Sequence, residues 1–233
     1  MTTGRPDWGA VPGYPGLYRP EVIEPGLRGL AGANGLVAAA RAAASLDQGA
    51  LVHGHSGAAM PAAAHAAPFL LDVLEHGHHA AKVAACGLLE DSMRFDPIAG
   101  FGRVPTSFGP AVPLCCAVAH HVHARRDAVV ALGPLFRDLL AEAAGHWSFE
   151  VGEVIDDGRD AVAFGTVHGT LPDAGQEAEC HGPDGHLPLG EVRRELPAVP
   201  GEPEACLRLV DVAPEALPAR AVLIPAACGR RAH

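Results

Sequence analysis

The stretch "HSGAAMPAAAHAAPFLLDVL", residues 55–74, decides how the chain is read. It carries Ala at most small positions, Pro61 where a first helical turn would begin, and Pro68 further in. Proline is tolerated in a first turn, but in a helix interior it removes a donor, so Pro68 should kink or restart the helix. Phe69, Val73 and His76 fall along one stripe of a helix expected over 58–77. Upstream, "NGLVAAARAAASLDQG" combines an Asn-Gly start, an Ala-rich run and a closing Gly, which predicts a helix over roughly 35–47. Downstream, "HHAAKVAACGLLEDSMRF" predicts a third helix, with Val83, Gly87 and Leu88 at helical spacing. Short turns would make these helices antiparallel neighbours.

Residues 1–28, rich in Pro and Gly, read as an extended arm docked through Trp8, Tyr14 and Tyr18. Residues 94–112 have Gly or Pro at almost every other step and read as a long loop, a lid or rim. A helical pair follows in 113–133 and 133–147, where Leu135, Leu139 and Ala143 mark an apolar face. Beyond Trp147 the pattern changes. Weak alternation around Asp156-Asp157-Gly158 is a hairpin signal, and "ACLRLVDV" and "ARAVLIPA" are β-like runs in a Pro-punctuated tail. The expected organisation is an arm over 1–28, a helical domain over 29–147 and a small-β or irregular segment over 148–233.

An internal echo suggests repeats. "AAPFLLDVLEHG" and "AVPLCCAVAHHV" share a small-small-Pro-apolar start, with Pro68 and Pro113 45 positions apart (113 − 68). "LGPLFRDLLAE" matches the first at 66 (134 − 68), a competing register. Helix pairs recurring at about 40–47 residues are the mark of HEAT or armadillo stacks. Residues 50–145 resemble actinobacterial HEAT-like (armadillo-type) repeat proteins, in which a His-x-Gly turn leads into a helix bearing Ala-x-Pro-aromatic-Leu-Leu. The resemblance implies a mainly α fold, a short α-solenoid of antiparallel helix pairs with a concave face. It also implies a scaffold for a protein partner or small ligand, with enzymes occasional. The long loop and the non-helical tail depart from that pattern.

Composition narrows the function classes. The 233 residues are 48% hydrophobic but only 5% aromatic, so the core must be built from Ala, Leu and Val on closely packed backbones. A net charge of −10 repels a phosphate backbone, and Arg125-Arg126, Arg193-Arg194 and Arg230-Arg231 are too short to form a basic tract. Nucleic acid and membrane are therefore not expected partners. The start lacks a signal-peptide pattern and no apolar run spans a bilayer, which reads as cytoplasmic. In that compartment six cysteines are thiols or ligands before they are disulfides, with a bridge among Cys180, Cys206 and Cys228 left open.

Two triplets carry candidate metal chemistry, because side chains at i, i+4 and i+7 share a helical face. Cys116, His120 and His123 combine a thiolate with two imidazoles and would suit zinc or copper. Asp72, His76 and His79 repeat the spacing 44 positions earlier (116 − 72), although Gly77 would throw His79 off the face. The plainer reading is that His76, His78 and His79 answer a helix C-terminus and that Cys115 and Cys116 are core thiols. "HGH" at 53–55 and Cys180, His181 and His186 in "CHGPDGH" are weaker ligand candidates, each equally explained by polar turns. Nucleophile motifs such as G-x-S-x-G are missing, and Cys86 or Cys116 could act as an activated thiol only if the fold brought a histidine beside it. Carboxylates such as Glu90, Asp91, Asp156 and Asp157 read as solvated charge or turn residues. The expected function is thus a scaffold binding along a concave face, with a zinc- or copper-dependent enzyme of a specialised bacterial pathway as the alternative.

Overall fold

The computed structural model describes residues 6–196, 203–218 and 220–232, so residues 1–5 of the expected arm and Ala219 of the last β-like run lie outside it. Short 3-10 turns at Trp8–Ala10 and Pro20–Val22 lead into α1 (Ile23–Ala31). Trp8 is buried against Phe69, and the Tyr18 hydroxyl donates to the Trp8 carbonyl at 2.9 Å, whereas Tyr14 is exposed. Helix α1 turns Ile23, Leu27 and Leu30 inward at i, i+4 and i+7. Its Gly26 lets α2 (Leu36–Asp47) approach closely, since a Cβ there would stand 2.7 Å from Leu46.

Two narrow strands, β1 (Val52–His53) and β2 (Ala58–Ala59), precede α3 (Ala62–His76) and α4 (His79–Arg94). Pro68 sits inside α3 without ending it: one donor is lost, but Ala66 and Ala67 before it and Leu70, Leu71, Val73 and Leu74 after it remain buried. Gly77 ends α3 in extended backbone, and His78 caps α4 by accepting from the Ala80 amide through Nδ1 at 3.2 Å. The buried face of α4 is Ala81, Ala85, Leu88, Leu89 and Ser92, while Val83 is exposed.

Residues expected to form a long loop carry β3 (Asp96–Pro97), which joins β2 in parallel, and the hairpin β4 (Arg103–Thr106) and β5 (Gly109–Pro113). Then come α5 (Leu114–Ala124), α6 (Arg126–Ala131) and α7 (Arg137–Gly145). On α7, Leu139 and Ala143 are buried, whereas Leu135, in the turn before it, is exposed.

The remainder is a closed antiparallel barrel of β6 (Ser148–Asp157), β7 (Asp160–His168), β8 (Gln176–Gly182), β9 (Gly185–Arg194), β10 (Glu204–Leu209) and β11 (Val222–Pro225), followed by α8 (Ala226–Arg231). The order around it is β10-β7-β6-β11-β8-β9. Two hairpins form it, β6–β7 turning at Gly158-Arg159 and β8–β9 at Pro183-Asp184, and β10 and β11 bridge them on opposite sides. So small a barrel is filled by side chains and is not a pore. Its interior holds Phe149, Ala161, Ala163, Ala178, Cys180, Leu207, Leu209 and Leu223.

This barrel overturns the HEAT-like, mainly α reading and with it the α-solenoid and its concave face. The chain is α+β, 44% helix and 28% strand. The physical reason lies in β11. Leu223 points into the barrel, while its neighbours Val222 and Ile224 join the core of the helical layer, so the helices, which pack mainly on one another, meet a closed sheet through β11 and not a further helix pair. Among the described residues no helix is long and apolar enough to cross a membrane.

Candidate metal centre

Two strand-to-helix junctions of the same design lie side by side. Strand β5 ends at Pro113 and α5 begins "LCC"; β11 ends at Pro225 and α8 begins "AAC". In each, a proline at the helix entrance places a cysteine three residues on, Cys116 and Cys228, in the first turn. Helix α7 stops at Gly145 and delivers His146 to the same point.

One donor atom from each of Cys115, Cys116, His146 and Cys228 lies within 4.8 Å of the others, and all four residues are buried. A tetrahedral zinc ion with sulfur ligands at about 2.3 Å would set donors about 3.8 Å apart, so this spacing accommodates one with small adjustments. His146 Nδ1 is 3.2 Å from Cys228 Sγ, and its Nε2 is 3.6 Å from Glu142 Oε1. Glu142 in turn accepts from Arg94 Nε and Nη2 at 3.3 and 3.2 Å. A carboxylate behind the outer nitrogen of a histidine fixes its ring and tautomer, the usual support of a metal-binding imidazole.

The thiols are already differentiated. Hydrogen bonds from Cys116 and Cys228, with help from His146, hold Cys115 well below the ordinary thiol range in spite of its burial. Cys116 and Cys228 are raised because each shares its proton with Cys115. A cation entering the cluster would displace the thiol protons.

The short helix α8 is held from both sides. Arg103 makes a two-pronged ion pair with Glu179, 2.9 Å in each arm, and also donates to the carbonyls of Ala111 at 3.0 Å and Gly229 at 3.3 Å. Gly229 packs directly on the Glu179 carboxylate, leaving no room for a Cβ. Burial alone would raise Glu179, but hydrogen bonds from His181 and Arg103 outweigh it and hold the carboxyl at about 2. On the other side, Arg231 donates to the carbonyls of Arg94 at 2.7 Å and Phe95 at 3.0 Å and pairs with Asp96 at 2.9 Å.

Of the expected ligands, Cys116 alone enters this centre. His120 lies one turn further along α5, edge-on to Phe108 with ring centroids 4.4 Å apart. His123 turns away, its Nε2 3.4 Å from the carbonyl of His146. Asp72 is exposed and paired with Arg125 at 3.1 Å. His76 ends α3 in solvent and His79 opens α4, also exposed, so the Gly77 break separates that triplet. Cys180 points into the barrel, where burial pushes its thiol up to about 12, while His181 is on the opposite face stacked on His186 at 5.2 Å. His53 bonds Ser56 at 2.7 Å, and His55 is exposed. Cys86 is raised by burial and by its bond to Glu90, which makes it a poor nucleophile. All six cysteines are free thiols.

Sequence reasoning missed Cys115 as a donor, His146 and Cys228. The signal that could have found Cys228 is the P-x-x-C of "PAAC", which repeats the "PLCC" that precedes Cys116. No protein-family model, curated protein or solved structure matches the chain.

Proposed function

We propose that the protein is a metalloprotein in which Cys115, Cys116, His146 and Cys228 hold a zinc-class ion that fastens the barrel to the helical layer. The observation that carries this reading is the convergence of four buried donors from three helices within 4.8 Å. Three thiolates and one imidazole with no open side suit a closed, tetrahedral structural zinc site better than a catalytic one. The whole barrel lies between His146 and Cys228, which are 82 positions apart, so one ion there would tie both ends of the barrel to α5. Closing a loop of that length adds about 4 kcal/mol on a chain-entropy reckoning.

The working surface is then the cleft outside this centre, and its ligand a small molecule rather than a macromolecule. This cavity of about 870 Å³ is walled by Glu75, His123, Arg125, Leu140, His168 and Thr170, where the helices meet β7. Free thiols fit a reducing, cytoplasmic compartment. The test is elemental mass spectrometry on reduced protein purified without a polyhistidine tag. Bound zinc that is lost in a Cys116→Ser, Cys228→Ser double variant supports the reading. Protein that neither carries nor takes up zinc, and melts identically with and without a chelator, defeats it.

A further inference from the structure

The thiolate centre joins two cysteines that are neighbours on one helix to a third from a distant segment. Cys115 and Cys116 stand in the first turn of α5, and Cys228 comes from α8, 112 positions beyond Cys116 (228 − 116). Consecutive residues of a helix point about 100° apart, so Cys115 and Cys116 are poorly placed to bond to each other. Cys228 meets them from a separate helix, its sulfur within 4.8 Å of both of theirs. A sulfur–sulfur bond is about 2.05 Å long, and side-chain rotation with a small shift of α8 closes that gap. Cys86, Cys180 and Cys206 are scattered over α4, β8 and β10.

The cover over the centre is slight. Helix α8 has six residues, too few to persist alone. It is held by Arg231 on the Arg94 carbonyl at the end of α4, and by Arg103 on the Gly229 carbonyl from the other side. Local opening of so short a helix exposes Cys228 without unfolding the barrel. His146 Nδ1, 3.2 Å from Cys228 Sγ, is placed to pass a proton to a group leaving beside that sulfur.

We propose that this centre is a peroxide-sensitive switch, in which oxidation joins Cys228 to the cysteine pair of α5 through a disulfide and expels the bound ion. The inference rests on the metal reading for the ion that leaves, whereas the disulfide follows from the placement of the sulfurs. In the first step an α5 thiolate attacks hydrogen peroxide: an S–O bond forms, the O–O bond breaks, and the departing hydroxide takes a proton and leaves as water. The sulfur, oxidised by two electrons, is then a sulfenic acid and no longer a thiolate ligand. In the second step the Cys228 thiolate attacks that sulfur. The S–S bond forms as the S–O bond breaks, and the departing hydroxide takes a proton through His146, freed as the ion leaves, to give a second water. Two thiolates, one peroxide and two protons thus give one disulfide and two waters. The remaining cysteine and His146 are too few donors to keep a tetrahedral ion. The disulfide replaces it as the tie between α5 and α8, and a dithiol reductant restores the donors. Reversible disulfides of this kind are what a reducing compartment tolerates.

The test is hydrogen peroxide added stepwise to reduced, zinc-loaded, full-length protein. Released zinc is followed with a chromogenic chelator, thiols are counted after denaturation, and tryptic peptides are mapped without reduction. The expected result is about one zinc released for about two thiols lost. Peptides 104–125 and 221–230 should be joined, and dithiothreitol with added zinc should reverse both changes. Peptides that stay separate in zinc-loaded protein, or that join while the zinc is retained, overturn the inference and leave the thiolate centre standing. Protein that never takes up zinc yet yields the joined peptides reversibly defeats the metal reading and supports the disulfide. Neither zinc nor joined peptides overturns both.

Discussion

His146 divides two regions of unlike character. Its ring faces three thiols in a pocket sealed by α5, α7 and α8, whereas its carbonyl touches His123, whose ring opens on a cavity of about 870 Å³. The thiolate side is closed, and its supporting groups, Glu142 with Arg94 and Glu179 with Arg103, are engaged in holding helices in place. The histidine side is lined by half-exposed groups. Donor type and enclosure thus separate a closed, thiol-rich region from an open cleft, although the two meet at a single residue.

Several perturbations break or sharpen that contrast. The largest effect is expected from Cys116→Ser, Cys228→Ser: loss of the ion should lower stability by about 4 kcal/mol and release α8 and the barrel end, measurable by chemical denaturation and hydrogen exchange. Next, Arg103→Ala strands the buried Glu179 carboxylate and should cost about 3 kcal/mol, read from the denaturation midpoint. The same pair governs acid behaviour. Glu179 is depressed to about 2 from an ordinary value near 4.5, so its contribution is present above about pH 4.5 and is lost as pH falls toward 2. His121 and His123, held at about 4 by burial, act in the same direction, weakening the fold as pH falls from 6.5 through 4. Stability should therefore decline on the acid side in wild type, and Arg103→Ala should flatten the lowest part of that limb. On the cleft side, His168→Gln should change stability by less than about 0.5 kcal/mol and leave the thiolate-bound ion in place. Smallest of all, His76→Ala with His79→Ala should alter neither metal content nor melting, since both side chains are in solvent.

The helices were legible where local chemistry punctuates them: Gly35 before α2, Pro61 before α3 and the Gly77-His78 turn before α4. The β6–β7 hairpin was legible from its Asp-Asp-Gly turn. The barrel was not. Strands β8 and β9 carry Gly182, Gly185, Pro188 and Gly190, and β8 is buried on both faces from Ala178 to Gly182, which erases clean alternation. Closure itself depends on β10 and β11 pairing with strands distant in sequence, and periodicity does not report partners. The Ala-rich helices do stack on one another, and what their pattern did not report is that Val222 and Ile224 of β11 close the same core from the barrel side.

The metal centre was partly legible for a related reason. Helical spacing found Cys116, but spacing within one helix cannot find a site whose donors begin or end three different helices. His120 and His123 were drawn into one constellation with Cys116 because i, i+4 and i+7 share a face. In the fold Cys115 and Cys116 in the first turn of α5 meet α8, while His120 and His123 in its later turns meet Phe108 and the barrel.

The most direct test of the account is zinc-edge X-ray absorption on the reduced protein loaded with one equivalent of zinc. The account predicts three sulfur ligands at about 2.3 Å and one nitrogen at about 2.0 Å. A shell of nitrogen and oxygen alone would contradict it, and would leave Cys115, Cys116 and Cys228 as core thiols.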